Sequence, residues 1–284
     1  MLPLGIYEKA LSLDFSWERR LELAHTIGFD FVELSIDESD ERIERLKSNS
    51  KERRDIRQAL QTTGVPLKSL CLSAHRKYPL GSASLETQRK SHDLFARAID
   101  LAVELGVRII QVAGYYVYYE KETADCIDCY EQGLAKGLEL AEQAGVMLAI
   151  ENMDTLGVCS LKEGMRLVDK FDSPWLQLYP DIGNLTERSC DALAELSAAK
   201  GHMVALHVKD ARPGEPRRVP FGKGEVDFVS AFERLAQLGF NGPVLVEMWN
   251  DNTPDSLQKI KEARAFVLER MAEGGLIQKV ETVR

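Results

Sequence analysis

The stretch Met203–Asp210, MVALHVKD, decides the fold. Its short apolar run, Met-Val-Ala-Leu, ends in His207, which a lysine and an aspartate follow within two residues. An apolar run of this length, without polar alternation, is typical of a strand that is buried on both faces in a parallel sheet. Because parallel sheets bind ligands at the carboxyl ends of their strands, His207 is expected at a ligand-binding edge.

Three other apolar runs have the same form, and each ends in a carboxylate. MLAIENMD places Glu151 there, LQLYPDIGN places Asp181 there, and PVLVEMWN places Glu247 there. A single acidic residue at a strand end more often caps a helix or pairs with a lysine. Four such residues in order, three carboxylates and one imidazole, instead predict a shared site for a divalent ion such as Mn²⁺, Mg²⁺, Co²⁺ or Zn²⁺.

Apolar runs alternate with amphipathic helical patterns along the whole chain. Strands are predicted within residues 4–9, 31–36, 67–73, 108–114, 147–153, 175–184, 203–210 and 243–249. Glycines 28, 64, 106, 145 and 239 lie just before a predicted strand, where glycine ends the preceding helix at small steric cost. Strict βα alternation over eight units predicts a (β/α)8 TIM barrel in one domain, residues 1–284. A doubly wound open sheet is the alternative, but no G-x-G-x-x-G follows the first strand.

Two segments within this pattern are less regular. The charged residues 40–64 are predicted to be helical, with a break at the SNS of 48–50. After the seventh strand a long loop is expected over 211–227, and the unit before that strand is expected to have its helix over 188–200.

The composition of the 284-residue chain is that of a globular protein with a full core, since 44% of its residues are hydrophobic. The net charge is 36 − 45 = −9, whereas a nucleic-acid-binding surface usually shows a basic excess. Five irregularly spaced cysteines, including the C-x-x-C of Cys126 and Cys129 in a helical pattern, favour reduced thiols. The chain has no signal-peptide pattern and no window of 18 apolar residues, so we expect a cytoplasmic protein without a membrane partner.

Several basic residues are candidates for binding an anion at the predicted site. In barrels that use phosphate, the loops after strands seven and eight often bind it. Simple solvation is the alternative for each of these side chains. Trp249 follows Glu247 by two residues and is a candidate for an apolar wall of the site. The cationic candidates are His75, Arg76, Lys209, Arg217, Arg218 and Lys223.

The motifs that carry the four strand-end residues resemble those of a known superfamily. PDIGN, HVKD, VPFGKGEVDF and LVEMW are similar to motifs of the xylose-isomerase-like TIM barrels. LGIYEKAL, GFDFVELSIDE, CLSAHRKYPLGS, QVAGYYVYY and QLYPDIGNL resemble the L-ribulose-5-phosphate 3-epimerases, also called L-xylulose-5-phosphate 3-epimerases, over nearly the whole chain. The resemblance implies one divalent ion held by Glu151, Asp181, His207 and Glu247.

One position departs from the pattern of related enzymes. Many epimerases of free ketoses carry a histidine three residues after the ligand aspartate, where this chain has Asn184. The metal-dependent endonuclease of the superfamily also has histidine there, and its three-metal cluster needs further histidines. This chain has only five histidines, so a role in DNA repair is not expected.

The resemblance also implies a reaction. L-ribulose 5-phosphate and L-xylulose 5-phosphate, intermediates of L-ascorbate and pentose catabolism, differ only at C3, beside the C2 ketone. A divalent ion would stabilise the enediolate formed by loss of the C3 proton, while Glu151 and Glu247 serve as base and acid on opposite faces. The expected partner is a small phosphorylated ketopentose, and a homodimer is the expected assembly.

Two other functions remain open at the level of sequence. One is a ketose–aldose isomerase that resembles hydroxypyruvate isomerase and moves the proton between C1 and C2. The other is a non-catalytic sugar-phosphate-binding barrel, which would not require both Glu151 and Glu247.

Overall fold

The computed structural model describes residues 2–155 and 157–278. The strands within these residues are β1 (Leu4–Tyr7), β2 (Phe31–Ile36), β3 (Leu67–Leu72), β4 (Ile109–Ala113), β5 (Met147–Glu151), β6 (Leu176–Leu178), β7 (Leu206–Val208), β8 (Asp210–Arg212), β9 (Glu215–Val219) and β10 (Val244–Val246). The helices are α1 (Trp17–Ile27), α2 (Asp40–Glu44), α3 (Lys51–Thr63), α4 (Leu85–Leu105), α5 (Cys126–Ala144), α6 (Leu161–Phe171), α7 (Ile182–Glu187), α8 (Ala192–Ala198), α9 (Phe228–Gln237) and α10 (Ser256–Glu273).

Within the described residues, eight strands form one parallel sheet in the order β6-β5-β4-β3-β2-β1-β10-β7. Two isolated bridges join the outer edges of this sheet: Leu178 pairs with Met203, and Asp181 pairs with His207. The sheet is therefore closed into a barrel. The predicted TIM barrel is confirmed, and the open doubly wound sheet is wrong.

Helix ends follow the sequence signals closely. Ser16 begins α1 by accepting a hydrogen bond from the Arg19 backbone N–H at 3.2 Å. The glycines that end α1, α3, α4 and α5 all have positive φ, as the left-handed end of a helix requires. The charged segment 40–64 is divided into α2 and α3, in agreement with the predicted break.

Two sequence predictions are wrong in detail. The helix expected over 188–200 is instead a pair, because Asp181 caps α7 immediately after β6 by accepting from the Asn184 N–H at 3.0 Å, and α8 follows a short turn. The loop expected over 211–227 contains β9 and most of β8, which pair in an antiparallel hairpin. These two additions lie at the carboxyl end of the barrel, where they surround the strand-end residues.

Most residues of the barrel strands are buried, and apolar side chains fill the layer between the strands and the helices. Inside the barrel, polar side chains such as Glu33, Ser69 and Gln111 lie among apolar ones. All five cysteines are free, including Cys126 and Cys129 in the first turn of α5. No helix in the described part of the chain has the length and hydrophobicity that a bilayer crossing requires.

Candidate metal centre and active site

Four strand-end side chains meet at the carboxyl end of the barrel. Glu151 ends β5, Asp181 follows β6, His207 lies in β7 and Glu247 follows β10. One nitrogen or oxygen atom from each lies within 4.8 Å of the corresponding atoms of the other three, and all four side chains are buried. The structure therefore brings together the set that the sequence singled out.

Asparagine side chains hold the Asp181 backbone in place. The Asn152 carboxamide accepts from the Asp181 N–H at 2.8 Å and donates to the Asp181 carbonyl at 3.0 Å. Asn184 donates to the Asn152 carbonyl at 2.8 Å. Asn184, which stands where related epimerases carry histidine, thus braces the ligand loop and also lines the cavity above it.

His207 lies between two carboxylates. Its Nδ1 is 2.8 Å from Glu151 Oε1, and its Nε2 is 2.8 Å from Glu33 Oε1. Glu33 also accepts hydrogen bonds from Ser69 and Tyr179. Glu33 was not predicted as a site residue, because it lies in the middle of β2 rather than at its end. The isolated acid within the apolar FVELSI was the available signal.

Lys209 supplies a buried positive charge beside the ligand set. Its Nζ lies 2.6 Å from Asp181 Oδ2 and 3.2 Å from Glu247 Oε2. Gly183 makes this approach possible, since a Cβ there would lie 2.6 Å from Lys209 Cγ. The sequence placed Lys209 among the candidates for binding phosphate, whereas the structure places it within the carboxylate cluster.

The four side chains fit a divalent ion. Asp181 Oδ2 and Glu247 Oε2 are buried, and neither has a hydrogen-bond partner among the described residues, although both lie near Lys209. Buried carboxylates are costly unless cations compensate them, and Lys209 supplies one positive charge beside the three carboxylates of the cluster. Carboxylate oxygens together with one imidazole nitrogen suit Mn²⁺, Co²⁺, Zn²⁺ or Mg²⁺.

The acidities of the cluster are strongly perturbed. Burial raises the pKa of Glu151 to about 7, although the nearby His207 opposes the change. Burial would also raise the pKa of Glu247, but Lys209 and His207 outweigh it and lower this pKa to about 2. Burial would lower the pKa of His207, yet Glu33 and Glu151 raise it well above its ordinary value. The surroundings therefore shift the pKa values of the two glutamates in opposite directions.

Two adjoining cavities open above the cluster. A small one of about 100 Å³ is lined by both glutamates and by Tyr7, Lys9, Arg76, Asp154, Asn184, Lys209, Arg217 and Trp249, among others. A larger one of about 560 Å³ shares Lys209, Glu247 and Trp249 and extends to Arg218, Phe221 and Phe266. Trp249 therefore forms a wall of both cavities, with its ring edge-on to Tyr7 at 6.4 Å between centroids.

The structure separates the predicted cations into different environments. His75 does not face the cavities, because its Nε2 lies 3.4 Å from the Ser91 carbonyl under α4 and its ring packs against Phe95. Lys223 is exposed and lines neither cavity. The structure therefore does not bring these two predicted residues to the cavities above the cluster. Arg218 lines only the larger of the two cavities.

Arg76 differs from the other cations of the small cavity. Lys9 pairs with Asp37, and Arg217 pairs with Asp154 at 2.7 Å. Arg76 forms no salt bridge with any described residue, and its Nε is buried without a hydrogen-bond partner. Its guanidinium carbon lies 5.9 Å and 5.2 Å from the ring centroids of two tyrosines, Tyr115 and Tyr118, which help to fix its orientation.

The sequence profile of the family described as "Xylose isomerase-like TIM barrel" matches residues 21–270. The chain belongs to this family. L-ribulose-5-phosphate 3-epimerase UlaE from Escherichia coli O1:K1 / APEC and from E. coli strain K12 is in each case 44% identical over 277 residues, which cover 98% of both chains. The resemblance to L-ribulose-5-phosphate 3-epimerases that the sequence motifs indicated is confirmed.

Solved structures of other epimerases share the fold. A structure of L-ribulose 3-epimerase superimposes with a TM-score of 0.78 at 20% identity, covering 99% of this chain and 100% of that one. D-allulose 3-epimerase from Methylomonas sp. gives a TM-score of 0.78 at 19% identity, with coverage of 95% and 97%. These similarities support the barrel architecture.

Proposed function

We propose that this chain is a divalent-metal-dependent epimerase that interconverts L-ribulose 5-phosphate and L-xylulose 5-phosphate at C3. The observation that carries the proposal is the pair Glu151 and Glu247, which flank a buried ligand cluster at the floor of a cationic cavity. The identity of 44% to enzymes named L-ribulose-5-phosphate 3-epimerase supports the choice of substrate.

The chemistry follows from the position of the C3 hydrogen. This hydrogen is α to the C2 ketone, so a carboxylate can remove it if the negative charge that develops on the oxygens is stabilised. A divalent ion held by Glu151, Asp181, His207 and Glu247 would stabilise that negative charge as a Lewis acid. One glutamate takes the proton from one face of C3, and the other returns a proton to the opposite face.

The electrostatic environments of the two glutamates support this division of work. Such a reaction needs one ionised carboxylate and one protonated carboxyl group at the same time. Lys209, 3.2 Å from Glu247, favours the ionised form of that residue. Glu151 has no lysine or arginine within ion-pair distance among the described residues, and burial favours its protonated form. In the reverse reaction the two roles exchange.

We also propose that Arg76 is the principal contact for the substrate phosphate. Arg76 has no carboxylate partner among the described residues, so a dianionic group can bind it without displacing an existing ion pair. Lys9 and Arg217 line the same cavity and add positive potential, while Trp249 forms the apolar wall. Arg218 is a candidate contact for a substrate that extends into the larger cavity.

The proposed setting is cytoplasmic pentose and L-ascorbate catabolism, with residues 1–284 as one domain and a homodimer as the assembly. The relatives named UlaE support the reaction class. Analytical ultracentrifugation tests the dimer, because a purely monomeric species across micromolar concentrations contradicts it.

Solvent exchange in D₂O tests the reaction. With L-ribulose 5-phosphate and Mn²⁺-loaded protein, NMR should show deuterium at C3 together with the appearance of L-xylulose 5-phosphate. Deuterium at C1 or C2 with an aldose product would instead identify a ketose–aldose isomerase. Saturable binding without exchange or turnover would identify a non-catalytic sugar-phosphate-binding protein.

A further inference from the structure

We infer that Glu33 is a positioning residue that fixes the tautomer and ring orientation of His207, so that Nδ1 is presented to the metal ion. The inference rests on the metal site of the proposed function. Glu33 is fully buried in β2, on the far side of β1 and β10 from His207, and reaches it across the barrel interior.

The first argument concerns the two ring nitrogens. A neutral imidazole carries one N–H and one lone pair, and an ionised carboxylate can only accept a hydrogen bond. Glu33 Oε1 lies 2.8 Å from Nε2, so it favours the proton on Nε2 and leaves the lone pair on Nδ1. Nδ1 is the nitrogen that faces Glu151 in the ligand cluster. A carboxylate of this kind also increases the basicity of a metal-binding imidazole.

The second argument concerns the orientation of Glu33 itself. Ser69 Oγ and Tyr179 Oη donate to its Oε2 at 2.5 Å and 2.9 Å, which leaves Oε1 for His207. The Tyr179 ring also packs against the His207 ring at 4.5 Å between centroids. Side chains from two further parts of the barrel thus fix both partners of the Glu33–His207 hydrogen bond.

The third argument concerns charge. Glu33 forms no ion pair with a lysine or arginine among the residues that the structure describes, and its one titratable nitrogen partner there is the imidazole of His207. A buried carboxylate without a cation destabilises a fold, and an uncharged residue of the same shape would avoid that cost. Its negative charge is therefore placed to act on the imidazole and, through it, on the bound ion.

Metal binding to the stripped protein provides the test. Wild-type protein and the Glu33→Gln variant would be titrated with Co²⁺ and Zn²⁺ against a competing chelator. We expect an affinity loss of roughly 10–100-fold in Glu33→Gln, the range found when such outer partners are removed. In the Zn²⁺-loaded protein labelled with ¹⁵N-histidine, the Nε2–H signal of His207 should shift or exchange faster in the variant.

Glu131→Gln is the matched control. Glu131 is a similarly buried carboxylate on α5, far from the site, and pairs with Arg166 and Lys170. The Glu131→Gln variant should keep the metal affinity of the wild type within about two-fold, even if its fold is destabilised. If Glu33→Gln does not fold, Tyr179→Phe removes one donor from Glu33 and should still weaken metal binding by about three-fold.

The outcomes separate the two proposals. Wild-type affinity in Glu33→Gln, with unchanged His207 signals, overturns the positioning role and leaves the metal site intact. Wild-type protein that binds neither ion overturns the metal site itself, and the positioning role falls with it.

Discussion

Glu151 and Glu247 are identical residues in opposite surroundings. Both are buried beside His207, but only Glu247 lies within ion-pair distance of Lys209, at 3.2 Å. Burial raises the pKa of Glu151, whereas Lys209 and His207 lower that of Glu247. The position of one ammonium group therefore favours the ionised form of Glu247 over that of Glu151.

Replacing either glutamate by glutamine should separate the two half-reactions. Because each glutamate serves one face of C3, Glu151→Gln and Glu247→Gln should each reduce epimerisation by roughly 10²–10⁴-fold. Each variant should retain C3 proton exchange with one epimer only, and the preferred epimer should differ between them. NMR exchange in D₂O measures this, with metal content determined in parallel. Retention of exchange with the same epimer in both variants contradicts the two-base mechanism.

Arg76→Gln should weaken selection of the phosphate. An ionic hydrogen bond of about 1.5–3 kcal/mol corresponds to a loss of roughly 10–150-fold in kcat/KM for the 5-phosphate. Activity on the free pentulose should change little, because that substrate lacks the anion. Lys223→Gln is the control, since Lys223 is exposed and lines neither cavity. An equal loss on both substrates would assign Arg76 a structural role instead.

His75 should make folding stability depend on pH. Burial lowers the pKa of His75 from 6.5 in the unfolded chain to about 4. Below pH 6.5 the unfolded chain therefore takes up a proton that the folded protein does not, and stability falls as pH falls. Titration of His75 should lower the free energy of unfolding by about 2 kcal/mol between pH 7 and pH 5.

Urea unfolding of the wild type and of His75→Gln at both pH values measures this contribution. The difference in stability change between the two proteins isolates His75, because the other titrating groups are common to both. An identical pH dependence in the variant would show that His75 does not contribute.

The strand-end residues were predictable because parallel strands place their carboxyl ends at one edge. The remaining contacts depend on geometry that the sequence does not express. His75 and Arg76 are neighbours in a 3₁₀ turn, where successive side chains point in different directions, so only Arg76 enters the cavity. Glu33 reaches His207 across the barrel, a distance of 174 residues along the chain.

Among the elements, the loop that follows β9 is fixed to the start of β8 by Asp210. The Asp210 carboxylate accepts from the backbone N–H groups of Gly222 and Gly224, each at 2.8 Å. Arg217 connects the hairpin to the loop after β5 through Asp154. The sequence predicts a loop for this segment, because its prolines and glycines are not typical of strands.

Gly224→Ala should therefore reduce activity. A Cβ at this position would collide with the Asp210 carboxylate and lie 2.6 Å from the Ala211 carbonyl oxygen, so the loop and its arginines must move. Misplacement of substrate-binding groups by about 1 Å lowers kcat/KM on the order of 10²-fold. Steady-state kinetics on the 5-phosphate would measure the loss.

Gly214→Ala provides a control within the same hairpin. Its φ of +80° makes alanine unfavourable by about 1 kcal/mol, but a Cβ there meets no atom within 4 Å. It should lower the melting temperature while leaving kcat/KM within about two-fold of wild type. If Gly224→Ala shows the same pattern as Gly214→Ala, the anchoring role of Asp210 is not required for activity.

For the molecule as a whole, the repeating βα pattern of the sequence was sufficient to predict most of the fold. Each βα unit has its own apolar run and helix end, so each strand and helix can be predicted from neighbouring residues. No knowledge of contacts between distant residues is needed. The pattern predicts less well where the chain leaves the repeat, at α7–α8 and at the β8–β9 hairpin. These irregular elements surround the cavities, so they determine which side chains line the site in this particular barrel.

Removing the metal should affect activity and stability together. Three buried carboxylates in one cluster repel one another, so an ion bound only by the folded state stabilises it. At a free ion concentration 100 times Kd, metal binding increases the free energy of unfolding by about 2.7 kcal/mol. EDTA should abolish turnover and lower the melting temperature, and Mn²⁺, Co²⁺ or Zn²⁺ should restore both. Full activity in metal-free protein contradicts the proposal.

The bridges Leu178–Met203 and Asp181–His207 close the barrel between β6 and β7, where the regular ladder is interrupted. One of these two pairs consists of residues from the ligand cluster itself. Among the described residues only these two bridges pair the β6 side of the barrel with the β7 side, so within the sheet the amides of Leu178, Val204 and His207 should be among the first to exchange with solvent. During folding, Asp181 would reach His207 only when these two sides of the barrel pair. Intermediates without this pairing would lack the complete metal site and would be inactive.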